Sequence, residues 1–456
     1  LLVLGNGAFK PNISTIVGGL YKDDSEKKDS AYTIFYMGIN AGAFLGILLC
    51  GYIGEKVGWS YGFGLAGIFM FFGMLQFWFG QGVFGDIGLK PIKNEVINDD
   101  PSLKSLAKKE LKRIQLWLFI SVAICCLFRY LLLPLLFDAI EFNHNQVDLW
   151  IPSLLISSGI AFVGYVVTDS DLKGIEKDRV WVIIILSLFT IFFWMAFEQA
   201  GGSMTIFAKD YTNRVLTGNS AVFFLWFNTI LTLAPLALVT YVLISLFRKT
   251  FKEYALSNIF LGTSFVIIWA VAIWMIRNEF KQDVSEVPAS WFGILNSFFI
   301  IAFAPLFSKV WETKFNPSAA LKFALGLTLL GLGFGVLAYG SSQIPSGATT
   351  ASVSMIWLVL AYLLHTLGEI TLSPVGLSYV SKLAPVKFVG LLFGFWFLAS
   401  AIANYLAGWT GSFVDDITQK YSMSAFFLIY TFIPIAAALV LVLINKMLVK
   451  KMHGIH

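Results

Sequence analysis

Three ionisable residues stand inside stretches that are otherwise apolar. Glu198 lies in FWMAFEQAGG, Glu369 in AYLLHTLGEITLSPVG and Lys10 in LLVLGNGAFKPN. A charge inside a bilayer is costly unless it pairs or faces a wet cavity, so such residues mark solute or proton pathways. A carboxylate held there can carry a proton or grip a cationic group. An ammonium can grip an anionic one. A cation and an anion facing one cavity suit a zwitterion.

Neighbouring residues extend these three positions. Trp194 and Glu198 share a helix face at i, i+4, and an aromatic platform beside a carboxylate suits a cationic or polar solute. For Trp194 alone, packing is the plainer reading. Glu369 and Ser373 repeat the spacing, with Pro374 expected to break the helix beside them. Broken membrane helices occur where backbone lines a cavity. Tyr36 and Asn40, in FYMGINAG, also share a face and suit a polar pocket, although an asparagine in a membrane helix equally serves to glue helices together. Trp291, Asn296 and Pro305 in one apolar run, and Trp396 and Asn404 in another, add polar and aromatic positions. His365 stands four residues before Glu369, where a structural role is favoured over a catalytic one.

The elements that must position these groups are membrane helices. The chain is 57% hydrophobic and 13% charged, with a mean hydropathy of +0.77. Thirteen apolar runs of about 20 residues recur, each long enough to cross ~30 Å of hydrocarbon. Nothing has the period of a strand barrel. If residue 1 starts outside, 24 of the 32 basic residues fall on the inner side and six on the outer, with Lys10 and Arg129 inside spans. The positive-inside rule supports that orientation and a cytoplasmic C-terminus. The net charge of +5 follows from this bias and gives no reason to expect nucleic acid.

Cys50, Cys125 and Cys126 all fall in spans and form no disulfide framework, and the four histidines form no metal-ligand set. No phosphate-binding loop or hydrolase motif is present. No metal, catalytic residue or cofactor is therefore expected, and the chain reads as no enzyme. An ion gradient is left to drive uphill movement, and carboxylates in the membrane suit protons. Residues 100–113, DPSLKSLAKKELKR, read as an amphipathic helix along the membrane face, capped by Asp100, or as a solvated linker. The spans within 219–277 lack buried charge and read as a peripheral addition. The chain opens with Leu inside an apolar stretch, and thirteen spans with an outside start imply an odd number of spans before it.

GNGAFKPN, FYMGINAG, FWMAFEQAGGS, ASWFGILNS and HTLGEITLSPVG follow in that order. Together they resemble the proton-dependent oligopeptide transporters (POT/PTR) of the major facilitator superfamily, over nearly the whole chain except 219–277. The resemblance implies an all-α membrane protein, a two-bundle transporter with extra helical hairpins. Residues 1–89 would be the remainder of the N-terminal bundle (family helices 4–6). Residues 90–178 would be a cytoplasmic linker and an inter-bundle hairpin. Residues 179–456 would be the C-terminal bundle (family helices 7–12), with a two-helix insertion at about 219–277 that departs from the family pattern. The first three family helices, and with them the ExxER motif, would be absent.

The resemblance also implies roles. Lys10 would neutralise the peptide carboxylate and pair with Glu198, the proton-coupling candidate. Glu369 would hold the peptide amino terminus. Asn40 and Asn296 would bind peptide backbone, and Trp194, Ser373 and Trp396 would line the cavity. The function implied is proton-coupled import of di- and tripeptides by alternating access, from a bacterial inner membrane, with small peptides, protons and the lipid bilayer as partners. The same fold carrying nitrate or a peptide-like compound is the near alternative, and a truncated fragment that does not transport is the other.

Overall fold

A computed structural model describes residues 38–87, 101–139, 148–282, 284–311 and 316–455, with a few isolated positions besides. In chain order the long helices are α1 (Gly38–Lys56), α2 (Trp59–Gly80), α3 (Pro101–Leu127), α4 (Trp150–Val167), α5 (Ile175–Phe197), α6 (Asn219–Thr250), α7 (Ala255–Glu279), α8 (Ile294–Trp311), α9 (Ala319–Ser341), α10 (Ile356–Leu383), α11 (Val389–Gly411) and α12 (Met423–Lys451). Among the described residues, eleven helices are long and apolar enough to cross a membrane, and the apolar helix Ala289–Ala304 is shorter. The first of the thirteen expected spans lies outside the described residues.

The chain divides into two compact units, Leu1–Lys93 with Arg214–Ser297, and Asn94–Asn213 with Phe298–His456. In the first, α1 and α2 meet at small residues. A Cβ on Gly62 would stand 2.6 Å from the Cys50 carbonyl oxygen, so only glycine lets these backbones approach. The hairpin α6–α7 packs against this pair. Ser257 Oγ donates to the Gln76 carbonyl at 2.9 Å, and Tyr52 Oη donates to the buried Glu279 carboxylate at 2.7 Å. The hairpin belongs to the same compact unit as α1 and α2, and its buried polar anchor is Glu279 at the end of α7. The Glu55 carboxylate accepts from the Ala289 and Ser290 N–H groups at 2.9 and 2.7 Å, where it satisfies donors at the start of a helical turn. Glu286 pairs with Lys56 at 3.1 Å and Arg214 at 3.0 Å.

In the second unit α9, α10 and α12 form the densest packing. A Cβ on Gly368 would stand 2.7 Å from the Gly326 carbonyl oxygen, so α9 and α10 touch backbone to backbone. Helix α3 begins at Pro101 and runs unbroken to Leu127, then through a wider turn at Phe128–Leu132 into Leu133–Ala139. The basic stretch before Arg113 is thus no separate helix along the membrane face. No glycine or proline separates it from the apolar run, so the helix simply continues. Asp100, its expected cap, lies outside the described residues.

One charged cluster fastens the α3–α4 hairpin to the turn between α10 and α11. Arg113 pairs with Asp169, and Lys387 reaches Asp169 at 3.0 Å, Asp171 at 2.9 Å and Glu110 at 3.3 Å. Burial pushes the Asp169 carboxyl up, but the Asp171 N–H, Lys387 and Arg113 outweigh it and hold it below the ordinary carboxylate range. The Lys387 hydrogen bond likewise lowers Asp171, and Lys387, bonded first of all to Asp171, is raised.

Candidate functional site

Of the nine residues singled out from the sequence, five fall in the second unit: Trp194 and Glu198 on or beside α5, Glu369 and Ser373 on α10, and Trp396 on α11. These three helices pack on one another, and Phe197 meets His365 at 6.5 Å between ring centres. Asn40 on α1 and Asn296 on α8 belong to the first unit, where both are half-buried and hydrogen-bonded or otherwise engaged. Lys10 and Tyr36 lie outside the described residues.

Glu198 stands where α5 stops being an α-helix. Regular turns end at Phe197, a tighter turn spans Glu198–Gly201, and the helix resumes at Ser203 and runs on to Tyr211. Gly202, with φ −118° and ψ −104°, takes the backbone out of the helix. A break inside a membrane span leaves peptide groups that must find partners. Here the Thr205 side chain supplies one, at the Ala200 carbonyl, and the Gln199 amide ties the turn to α11. Gln199 Nε2 donates to the Ala407 carbonyl at 2.8 Å, the Ser203 hydroxyl donates to Gln199 Oε1 at 2.8 Å, and the Thr205 hydroxyl donates to the Ala200 carbonyl at 2.8 Å. Gln199 is 1% exposed, whereas its neighbour Glu198 is exposed. Trp194, half-buried, sets its ring edge-on to Phe197 at 5.2 Å and to Phe193 at 5.4 Å.

The second acid sits on a helix that does not break. Helix α10 runs for 28 residues with Pro374 in its interior, so the expected break there does not occur. Glu369 is half-buried and engaged. Ser373 Oγ is buried without a hydrogen-bond partner among the described residues, and such a hydroxyl calls for water or a polar ligand. Trp396 is only 5% exposed. Its ring fills a notch over Gly376, where a Cβ would stand 2.2 Å away, and meets Phe323 edge-on at 6.1 Å. His365 is buried against Phe334 with 4.5 Å between ring centres, a packing role. Among the described residues, no group of three or more His, Cys, Asp or Glu could hold a metal ion.

Sequence reasoning missed Gln199 and Lys387. Gln199 stood next to a flagged acid, and a glutamine inside an apolar run is itself a signal, because its amide needs partners. For Lys387 there was none, since its partners are more than 200 residues away in the chain.

A family model described as the POT family matches residues 1–284 and 263–429. The chain is 30% identical over 417 residues to the peptide transporter YePEPT of Yersinia enterocolitica subsp. palearctica, covering 91% of this chain and 67% of that protein. It is 26% identical to a di-/tripeptide transporter of Lactococcus lactis subsp. cremoris, covering 100% of this chain and 76% of the relative. A crystal structure of a peptide transporter POT in complex with sulfate superposes with a TM-score of 0.67 at 26% identity, over 99% of this chain and 74% of the other. A mutant of a peptide transporter POT in complex with alafosfalin gives the same TM-score, identity and coverage.

Proposed function

Because this chain belongs to the POT family, we propose that it imports di- and tripeptides together with protons, by alternating access. It is an integral membrane transporter and not an enzyme. The observation that carries the proposal is the setting of two acids on packed helices. Glu198 stands exposed at a break in α5, and Glu369 stands on the continuous α10 beside the unpartnered Ser373 hydroxyl.

The two acids divide the work. Glu369, with Ser373, holds the peptide amino terminus and stays charged to do so. Lys10 takes the peptide carboxylate. Glu198 carries the proton, and its protonation releases Lys10 for the peptide. Linkage makes this reciprocal, so bound peptide favours the proton on Glu198 as much as the proton favours peptide. Asn40, Asn296, Tyr36 and Trp194 are the further residues proposed to contact peptide, with protons as the coupling ion and no cofactor, while Trp396 packs in the notch over Gly376. The excess of Lys and Arg on one side of the spans supports a cytoplasmic C-terminus, and the bacterial relatives support an inner-membrane placement.

The test is uptake of a labelled dipeptide into proteoliposomes. Accumulation should require an imposed proton gradient and collapse with a protonophore. Uptake unaffected by the gradient would contradict the proposal.

A further inference from the structure

We infer that Gln199 is a positioning residue that latches the break in α5 to α11 and thereby fixes the direction of the Glu198 carboxylate. The inference rests on the proton-carrier role proposed for Glu198.

The two residues are consecutive in the turn Glu198–Gly201. With three residues per turn, successive side chains there point about 120° apart. Holding one therefore aims the other. Gln199 is held by both ends of its amide, one donating to the Ala407 carbonyl on α11 and the other accepting from Ser203. Gly411 leaves the room for it, since a Cβ there would stand 3.1 Å from Gln199 Oε1. The stretches on either side are fixed elsewhere. Before the break, Asp178 in the first turn of α5 pairs with Lys451 and lies 2.9 Å from His453 Nε2. After it, Tyr211 Oη donates to the Ala348 carbonyl at 3.2 Å, and the Ala351 N–H donates to the Asp210 carbonyl at 3.1 Å. The turn between them is joined to α11 through the Gln199 amide.

Gln199→Met keeps the length of the side chain and removes both bonds, and Ser203→Ala removes one. Three readouts are compared in proteoliposomes: gradient-driven accumulation of a dipeptide, counterflow exchange, and the pH profile of uptake. Two hydrogen bonds of ordinary net strength correspond to about a tenfold effect. Gln199→Met should therefore lose about tenfold in driven accumulation and shift its pH profile while exchange persists. Ser203→Ala should move the same readouts less. Accumulation and pH profile like the parent protein would overturn the inference. So would a parallel fall of accumulation and exchange, which marks a general packing role. If the Met variant fails to reconstitute, Ser203→Ala decides by the same criteria. Glu198→Gln, measured alongside, separates the two claims. If it accumulates peptide normally, Glu198 is not the carrier, and any loss in Gln199→Met runs through another group, which also overturns the latch.

Discussion

Helices α5 and α10 each carry one of the two acids, and they treat the backbone in opposite ways. Helix α5 has no proline, yet it breaks at Glu198–Gly202. Helix α10 has Pro374 in its interior and stays whole, as α6 does around Pro235 and α12 around Pro434. A proline removes one hydrogen bond, which a packed membrane helix can absorb. Neighbours hold α10 closely, with Gly326 against Gly368 and Trp396 over Gly376. In α5 the Thr205 hydroxyl takes up the Ala200 carbonyl at the break, and the Gln199 amide, itself bonded by Ser203, joins the turn to α11. The presence of a proline thus does not by itself locate the break.

Three substitutions would break or sharpen this contrast. The largest effect belongs to Gly368→Leu. Its side chain would be driven into the Gly326 carbonyl, and overpacking of this kind costs about 3 kcal/mol. Thermal unfolding in detergent should show a large drop in Tm, and an unchanged Tm would mean that α10 is not held by α9. Next is Lys387→Ala, which frees the turn after α10. Arg113 still covers Asp169, so a half-exposed pair of this kind contributes about 1 kcal/mol. Its pH dependence has a definite sign. Asp169 and Asp171 are lowered, so their contribution is present above the ordinary carboxylate value of 3.8 and is lost as pH falls through their lowered values. Lys387 is raised, so its contribution is present below the ordinary value of 10.5 and is lost as pH rises through its raised value. The stability gap between parent and variant should be flat across neutral pH, close in strong acid and shrink in high salt. A gap that grows on acidification would contradict the cluster. The smallest effect is expected from Pro374→Ala, within about 1 kcal/mol in either direction, because the helix already runs through the proline. A variant with intact stability but failed transport would instead show that a break at Pro374 forms in another state.

Most of the helical plan was legible in the sequence, because a span is a local property of some twenty residues and the basic residues sort its ends. The positions of Glu198 and Glu369 were equally legible, since an acid in an apolar run stands out wherever it folds. What could not be read was anything set by contacts distant in sequence. The break was expected at Pro374, where a local rule pointed, and fell beside Gln199, whose bond partner is 208 residues away. Trp396 read as a cavity residue, and the notch at Gly376 that buries it lies on another helix. The bond from Tyr52 to Glu279 at the end of α7 likewise joins residues 227 apart in the chain.

The central claim is that Glu198 carries the coupling proton while Glu369 holds substrate. The measurement is gradient-driven uptake set against counterflow exchange in the same proteoliposomes, for Glu198→Gln and Glu369→Gln. Glu198→Gln should abolish accumulation and leave exchange running, because peptide still binds and crosses. Glu369→Gln should damage both, because a direct contact to the peptide amine is gone. If Glu198→Gln still accumulated peptide in proportion to the proton gradient, coupling through this residue would be ruled out.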